Sequence, residues 1–224
     1  MAVMITWNMQ GGNATTENKW HSSVFAMLNQ GGDVLCLQEC GPVPPSAQLL
    51  QAGLCGNSNF SFYYSHRYRY ISFYHWDLNG NRVNLAIVSK VEPTEWRCLV
   101  PVGGPIWRPV IGARIQGHWY FSLHCISPGG ADGPGLIGAI IDDLGDAPWI
   151  AGGDYNREPV PPITAPNAIA PPLLCPTKDY LPTYKMLNPT RLFDYAYCNY
   201  AVYEGTVLDL LIMSDHRAVS FGLG

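Results

Sequence analysis

The stretch "MITWNMQGGNATTENKW", residues 4–20, decides the fold because it leads from an apolar strand through a Gly-Gly turn into a helix. Val3–Trp7 has the apolar character of a buried strand. Thr15 and Thr16 are candidate N-caps, since their hydroxyl oxygens can accept a hydrogen bond from the first helical turn. We therefore expect a helix from this point through Gln30, with its apolar side chains on one face.

A second buried strand follows the helix. Gly31 and Gly32 mark the helix end, and "DVLCLQE", residues 33–39, is an apolar run that ends on a carboxylate. Consecutive strands joined in this way usually lie beside each other in one sheet. We therefore expect the two polar strand ends, Asn8 and Glu39, to be neighbours.

The rest of the chain is rich in strand signals and poor in helices. Residues 42–58 are loop-like, the aromatic run 60–76 fits one long strand or two short ones, and "DLNGN" at 77–81 is a hairpin-turn signal. The other predicted elements are strands at 82–90, 107–115, 118–126, 148–156, 190–198 and 216–223, a helix at 134–145 and a proline-rich loop at 159–182. Because no linker divides two cores, we expect residues 1–224 to form one α/β domain of two packed sheets with helices outside.

Composition narrows the classes of function. The net charge of −4 gives no overall basic field for nucleic acid, so any phosphate recognition must be local. No stretch resembles a signal peptide or a transmembrane helix, so we expect no stable membrane insertion. The seven cysteines are scattered and include no CxxC pair, the spacing that would indicate structural zinc. Whether one or two disulfides form depends on whether the protein is secreted.

Polar side chains stand at or just past the ends of the predicted strands. They are Asn8, Glu39, His124, the pair Asp154 and Asn156, Asp194, and the pair Asp215 and His216. Each alone is weak evidence, but together they combine oxygen ligands suited to Mg²⁺ with two histidines suited to acid–base catalysis. Arg82 and Arg108 add guanidinium groups that can bind phosphate oxygens, although either alone would be read as a surface residue. The set predicts a metal-assisted hydrolysis of phosphate esters.

The motifs "TWNMQG", "LQEC", "GGDYNREP", "FDYAYC" and "MSDHRAV" resemble, in this order, those of the endonuclease/exonuclease/phosphatase family with its deoxyribonuclease I-like fold. Within it, "TWNMQGGNATTENKW", "NGNRVNLAIVSK" and "GGDYNREP" are most similar to the B-subunit family of the cytolethal distending toxins. The resemblance extends from Thr6 to Val219. It implies a four-layer α/β/β/α sandwich, two sheets packed face to face between helices.

The resemblance also implies a metal site and a pair of histidines with separate roles. Glu39 would be the principal Mg²⁺ ligand, with Asn8 and Asp215 at the same ion and Mn²⁺ or Ca²⁺ as alternative metals. His124 would protonate the leaving oxygen or stabilise the phosphate. His216 would be the general base, held in place by Asp194.

The remaining matched residues would bind the phosphate. Asp154 and Asn156 would position the phosphate and the attacking water, and Arg82 and Arg108 match phosphate-contacting arginines of the toxin family. One departure is clear: deoxyribonuclease I orients the histidine that matches His124 with a glutamate, whereas residues 60–76 contain no Asp or Glu. Which group orients His124 is therefore open at this point. The loop at 42–58 also differs from that of the toxin family.

These features favour a Mg²⁺-dependent DNA endonuclease, a nickase that acts as the genotoxic subunit of a toxin. The alternative is a phosphoinositide phosphatase that uses the same site; an abasic-site repair enzyme and an inactive partner-binding subunit fit less well. The toxin resemblance implies DNA as substrate, carrier subunits as partners, and secretion followed by action in the target-cell nucleus. The nearest candidate for a basic import segment is "HRYRY", residues 66–70, which reads better as a strand.

Overall fold

Two β-sheets pack face to face in the computed structural model of the chain. It describes residues 2–11, 17–101, 108–159, 172–185, 188–202, 204–209 and 214–224. In chain order the strands are β1 Val3–Asn8, β2 Val34–Gln38, β3 Gln48–Ala52, β4 Phe60–Ser65, β5 Arg69–Tyr74, β6 Leu85–Ser89, β7 Glu95–Leu99, β8 Val110–Ile115, β9 His118–His124, β10 Trp149–Asp154, β11 Leu173–Cys175, β12 Asp194–Cys198, β13 Thr206–Val207 and β14 Val219–Gly222.

The strands form one sheet of eight and one of six. The larger sheet has the order β13-β14-β1-β2-β6-β5-β4-β3, and the smaller has the order β11-β12-β10-β9-β8-β7. β1 and β2 run parallel, as do β9 and β10, whereas β10 and β12 are antiparallel. Because β1, β2, β9 and β10 carry polar residues at or just after their carboxyl ends, the pairing brings those residues to one edge of each sheet.

Helices cover the outer face of each sheet. A helical segment contains the π-helical turn Trp20–Val24 and α1, Phe25–Asn29, and packs on the larger sheet; α2, Gly133–Leu144, packs on the smaller. Short 3₁₀ turns occupy Leu54–Gly56 and Lys178–Tyr180. None of the helices that the structure describes is both long and apolar enough to cross a membrane.

Side chains alternate between two layers along each central strand. Met4 of β1 points into the interface between the sheets, whereas Ile5 and Trp7 point outward and pack with Trp20 and Met27. The alternation follows from the period of two of a β-strand. On the other side, buried side chains of α2 that share one helical face cover the smaller sheet: Leu136, Ile137, Ile140 and Ile141. The predicted α/β/β/α sandwich is therefore confirmed.

Several predicted elements are confirmed in detail. The aromatic run forms two strands, β4 and β5, and β5 pairs with β6 across the predicted turn at 77–81. The helix expected at 134–145 is α2; a proline lies in its first turn, and Gly145 follows it with a φ of 54°. The predicted N-caps Thr15 and Thr16 lie outside the described residues. So do residue 107 of the predicted strand 107–115 and residues 160–171 of the predicted loop 159–182.

Two strands at the edges of the sheets differ from what the sequence indicated. The loop expected at 42–58 contains β3, and β7 was not predicted at all. Both are edge strands: every residue of β3 is exposed and every residue of β7 only partly buried. Because such strands pack little side-chain surface against the core, they lack the apolar alternation by which a strand is recognised in a sequence. The predicted loop at 159–182 likewise contains the short strand β11.

The close approach of the sheets depends on Gly152 of β10. A Cβ atom at this position would lie 2.8 Å from Met4 Cε and 3.1 Å from Thr6 Cβ, on the facing strand β1. Both distances are shorter than ordinary van der Waals contact, so a side chain here would push the two sheets apart.

We expect Gly152→Ala to lower the free energy of unfolding by about 1–3 kcal/mol, the usual cost of overpacking a core. Gly138→Ala is the matched control, since Gly138 lies inside α2 with no atom within 4 Å of an added Cβ. That control should stabilise the protein by about 0.5–1 kcal/mol. Urea unfolding of the purified variants measures both, and equal stability of the two would contradict the tight interface.

Candidate active site

The polar strand ends converge at one edge of the sandwich. Within the smaller sheet, Asp154 pairs with His124 across the parallel strands and with Asp194 across the antiparallel ones. In the larger sheet, Asn8 pairs with Gln38, and Glu39 is the next residue along the chain. These residues line or adjoin a cavity of about 540 Å³.

Asp154 is the centre of the cluster. Its carboxylate is buried, accepts a hydrogen bond from Asn8 Nδ2 at 2.9 Å through Oδ2, and accepts one from the Asn156 N–H at 2.8 Å through Oδ1. His124 Nε2 and His216 Nε2 lie 3.5 Å and 3.7 Å from Oδ2. Burial, followed by the charge of Asp194, raises the Asp154 pKa to about 7. Asp154 can therefore exchange a proton near neutral pH.

His216 and Asp194 form a buried dyad. His216 Nδ1 donates to Asp194 Oδ2 at 2.8 Å, and the ring of Tyr184 packs 4.8 Å from the imidazole. Burial by itself lowers the His216 pKa, but the charge and hydrogen bond of Asp194, with the charge of Asp154, outweigh it and raise the pKa to about 10. In the protein without a metal ion, His216 is therefore an imidazolium at neutral pH.

His124 has the opposite environment. Arg108 Nη1 lies 2.7 Å from His124 Nδ1, and Arg108 Nη2 donates to the Cys125 carbonyl at 3.2 Å. A guanidinium has no acceptor, so Nδ1 must carry the lone pair and Nε2 the proton. Burial, the charge of Arg108 and the charge of His216 all lower the His124 pKa well below its usual value. His124 is thus neutral and presents an Nε2–H donor toward Asp154 and, at 3.9 Å, toward Glu39.

Arg108 therefore answers the question of what orients His124. We expected it to contact phosphate, but its guanidinium is engaged with the imidazole and a backbone carbonyl. It lines a second cavity of about 410 Å³ that also borders Glu39 and His124. A carboxylate at this position would favour the imidazolium form of His124, whereas the arginine favours the neutral form.

Glu39 is the residue best placed to bind a divalent cation. Its side chain is 15 % exposed, and Oε2 is buried without a hydrogen-bond donor among the described residues. Arg82 Nε forms an ion pair with Oε2 at 3.4 Å, and the Arg82 side chain is largely exposed. An unsatisfied carboxylate oxygen in a polar cavity fits a hard cation such as Mg²⁺.

The backbone fixes Glu39 at this position. Glu39 has a φ of 46°, and the loop after β1 approaches it so closely that a Cβ on Gly11 would collide with the Glu39 carbonyl oxygen. The same Cβ would collide with the Arg82 carbonyl oxygen. Only glycine can occupy this point, which explains why the strand end at Asn8 is followed by a glycine turn.

The two other expected metal ligands, Asn8 and Asp215, differ in which of their atoms face the cavity. Asn8 Oδ1 accepts the Gln10 N–H at 2.8 Å, so the amide turns its nitrogen toward Glu39 and Asp154. Asn8 is therefore a hydrogen-bond donor toward both carboxylates in the metal-free protein, and its use as a metal ligand stays a prediction. Asp215 fits better, because its carboxylate is partly exposed at the cavity, 4.0 Å from His216 Nε2.

A second group of possible ligands consists of Asp154, Asp194 and His216, whose ligand atoms lie within 4.8 Å of one another. His216 donates to Asp194 Oδ2 and Asp154 accepts from Asn8, but Asp194 Oδ1 is buried without a hydrogen-bond partner among the described residues. This group is therefore a candidate ligand set in its own right, and the pair Glu39 and Asp215 stays a prediction beside it.

Supporting residues that the sequence did not indicate hold the two sides of the site together. Ser214 Oγ donates to the Asn8 carbonyl at 2.7 Å and accepts the His216 N–H at 3.1 Å. Lys19 is buried and its ammonium donates to the carbonyls of Met9 and Gln10. Ser214 could have been found by its place in "SDH", but nothing in the sequence marks Lys19, since its role depends on burial.

Comparison with known proteins agrees with this geometry. A profile of the Endonuclease/Exonuclease/phosphatase family matches residues 5–216. The B subunit of the Escherichia coli cytolethal distending toxin is 34 % identical over 175 residues, and its homologue in Salmonella typhi is 32 % identical over 173 residues. These alignments cover 69 % and 70 % of this chain but only 64 % of the length of each relative.

The same similarity is present in three dimensions. The chain superposes on a chain of the Haemophilus ducreyi cytolethal distending toxin with a TM-score of 0.85 and 27 % sequence identity. The superposition covers 98 % of this chain and 97 % of the other. The expected similarity to the toxin family is therefore confirmed.

The His216–Asp194 dyad predicts a pH dependence of stability in the metal-free protein. Because folding raises the His216 pKa from about 6.5 to about 10, its stabilising contribution is complete below pH 6.5 and is lost as the pH rises through 10. The difference in unfolding free energy between wild type and His216→Gln should shrink by at most about 1.4 kcal/mol per pH unit in this window.

Urea unfolding in EDTA at several pH values between 6 and 10 measures this difference. His66→Gln is the control, since His66 is exposed on the β4–β5 turn, and its difference from wild type should stay small throughout. A constant difference for His216→Gln between pH 6 and pH 10 would contradict the protonated dyad.

Proposed function

Because this chain belongs to the endonuclease/exonuclease/phosphatase family, we propose that it is a divalent-cation-dependent phosphodiesterase that nicks DNA. The observation that carries the proposal is the pairing of two histidines of opposite protonation around Asp154, next to the unsatisfied carboxylate oxygen of Glu39. Hydrolysis of a phosphodiester needs a proton acceptor for water, donors for the charged oxygens and local positive charge. All three are within one cavity.

His216 is the proposed general base. Its Nδ1–H is held by Asp194, so Nε2 is the atom that receives the proton of the attacking water. Asp194 then stabilises the imidazolium that forms. A Mg²⁺ ion held by Glu39 and Asp215 would stabilise negative charge on the phosphate and offset the acidic field that keeps His216 protonated in the metal-free protein.

His124 is proposed to stabilise the phosphate rather than to act as an acid. A neutral imidazole that gave up its Nε2 proton would become an anion, which is unfavourable in this buried position. As a hydrogen-bond donor held by Arg108, the same group can bind a phosphoryl oxygen without reorganisation. Asn8 Nδ2 is proposed to act beside it as a second neutral donor.

Recognition of the phosphate is proposed to fall to side chains around the cavity. Asp154 and Asn156 keep the roles expected from the sequence, with Asn156 held by its bond to the Cys125 carbonyl at 3.0 Å. Arg82 is joined at the cavity wall by Arg157 and Arg191. These arginines supply the local positive charge that a chain with a net charge of −4 requires for binding a polyanion.

The biological setting is proposed from the relatives. Similarity to B subunits of cytolethal distending toxins favours a genotoxic protein that is secreted, is carried by partner subunits and acts on DNA in the nucleus of a target cell. Phosphoinositide hydrolysis by the same residues is the second candidate, since the matched family includes phosphatases by its name.

We expect the purified protein to convert supercoiled plasmid to open circles with Mg²⁺ and not with EDTA. His216→Ala should reduce the rate about 10²–10⁴-fold, the usual range for loss of a general base. His118→Ala is the matched control, because His118 lies at the opposite end of the strand that carries His124, and it should nick at the wild-type rate. Unchanged nicking by His216→Ala would refute the assignment.

The substrate is tested with the same proteins. Release of phosphate from phosphatidylinositol trisphosphate without plasmid nicking would favour the phosphatase. Nicking without phosphate release would support the nuclease. Loss of both activities in His216→Ala would show that both reactions use this site.

Arg108→Gln should lower the nicking rate about 10–100-fold, because His124 loses the donor that fixes its tautomer. Arg114→Gln is the control: Arg114 lies on β8, the strand that follows Arg108, and pairs with Glu95 away from the cavity. The nitrogen chemical shifts of His124 in the metal-free protein report the tautomer directly. Wild type should show an Nε2-protonated neutral ring, and an Nδ1-protonated ring would contradict the proposal.

A further inference from the structure

A second concave surface lies on the larger sheet. It is a groove of about 620 Å³ between α1, the β4–β5 turn and the residue after β6. Its ionisable lining residues other than tyrosine are His66, Arg67, Arg69 and Lys90, and none of the described residues that line it is acidic, although Asp33 contacts Lys90. We call these four residues and the space between them the basic groove. A concentration of basic side chains is unexpected in a chain with a net charge of −4.

The basic groove is far from the candidate active site. β5 pairs with β6 so that Tyr74 lies opposite Leu85 near the active-site edge and Tyr70 lies opposite Ser89 near the groove. The five steps from Arg69 to Tyr74 along β5, at about 3.3 Å each, separate the two by roughly 16 Å. A ligand in the groove is therefore not in contact with the catalytic cluster.

The turn that carries the basic residues is rigidly held. Tyr68 is fully buried, packs edge-on against Trp20 with ring centroids 5.3 Å apart, and its hydroxyl lies 2.9 Å from His21 Nδ1. Arg67 is positioned over the Phe25 ring at 4.4 Å. With the aromatic residue between them directed inward, the basic side chains of "HRYR" are exposed, and Arg67 is held further by the contact of its Nη1 with His21 Nδ1 at 3.2 Å.

Two like charges oppose each other across the groove. The β5–β6 register ends at Tyr70 opposite Ser89, so Arg69 and Lys90, the next residue on each strand, are neighbours. Asp33 Oδ1 lies 3.3 Å from the Lys90 ammonium, but the Arg69 guanidinium has no hydrogen bond or ion pair among the described residues. Like charges placed opposite each other are unfavourable unless an anion lies between them.

The backbone of Arg69 fits the turn that it closes. Its φ is 68°, in the left-handed region that usually takes Gly, Asn or Asp. A left-handed residue commonly closes a short hairpin turn, and Arg69 pairs here with Ser65 across the β4–β5 turn.

We propose that the basic groove binds a ligand that carries at least two phosphate groups. Arg69 and Lys90 would bind one group and Arg67 with His66 the other. Guanidinium groups bind phosphate oxygens in a bidentate manner, and the volume is typical of a site for a small molecule or headgroup. The aromatic rings of Tyr64 and Tyr70 also line the groove, 5.4 Å apart and tilted by 59° to each other, and offer apolar contact to a ring that carries the phosphates.

The test measures binding of inositol trisphosphate to the full chain by calorimetry, in EDTA. Wild type and an Arg82→Gln variant, in which an arginine of the candidate active site is removed, should bind equally. The double variant Arg69→Gln/Lys90→Gln should bind at least tenfold more weakly. Arg97→Gln/Arg114→Gln is the matched control with the same loss of charge on the other sheet, and it should bind within twofold of wild type.

Plasmid nicking separates this proposal from the catalytic one. The Arg69→Gln/Lys90→Gln protein should nick DNA at the wild-type rate, since the groove is remote from the cluster around Asp154. Equal binding by wild type and the double variant would overturn the proposal even if nicking were intact. The proposal would also be overturned if the backbone chemical shifts of residues 66–69 and 90 did not change on addition of a 10-fold excess of inositol trisphosphate.

Vesicles distinguish the source of the phosphates. Sedimentation with phosphatidylcholine vesicles that contain phosphatidylinositol bisphosphate, lost in the double variant, would support a lipid headgroup as ligand. Binding of soluble inositol trisphosphate without vesicle sedimentation would support a free phosphorylated compound. Weakened binding in both double variants alike would show only a general charge effect and would overturn the groove as a site.

Discussion

The hydrogen bond from Asn8 to Asp154 joins the two sheets at the point where the site forms. Asn8 ends a strand of one sheet and Asp154 ends a strand of the other, and their side chains meet at 2.9 Å in a buried position. A second buried contact, from Gln38 Nε2 to Ser122 Oγ at 3.0 Å, joins the neighbouring strands β2 and β9 across the same interface. Because buried polar groups must be paired, these contacts permit little sliding of one sheet over the other.

The positions of the histidines depend on that alignment. His124 reaches the cluster because β9 and β10 are parallel and end together, whereas His216 arrives from the chain before β14 and is held by Asp194 at the start of β12. Arg108 on one side and Asp194 on the other give the two imidazoles opposite protonation states. A single buried carboxylate between them, Asp154, then has a pKa near neutrality.

The distribution of charge divides the molecule into two kinds of surface. At one edge of the sandwich, the carboxylates of Glu39, Asp154 and Asp215 suit a cation with a phosphate beyond it. At the opposite edge, the basic groove has no lining carboxylate and suits a phosphate directly. The two proposed phosphate sites would therefore differ in whether a metal ion is required.

The sequence alone determined the central strands, α2 and the set of polar strand ends, because buried strands and amphipathic helices impose short-range periodicities on the chain. It could not identify β3 or β7, whose edge positions impose little pattern. Only the tertiary structure decided the direction of the Asn8 amide and the partner of His124. Both depend on groups far away in the chain or across a sheet interface, and burial, which sets the protonation of His124 and His216, exists only once the two sheets have packed.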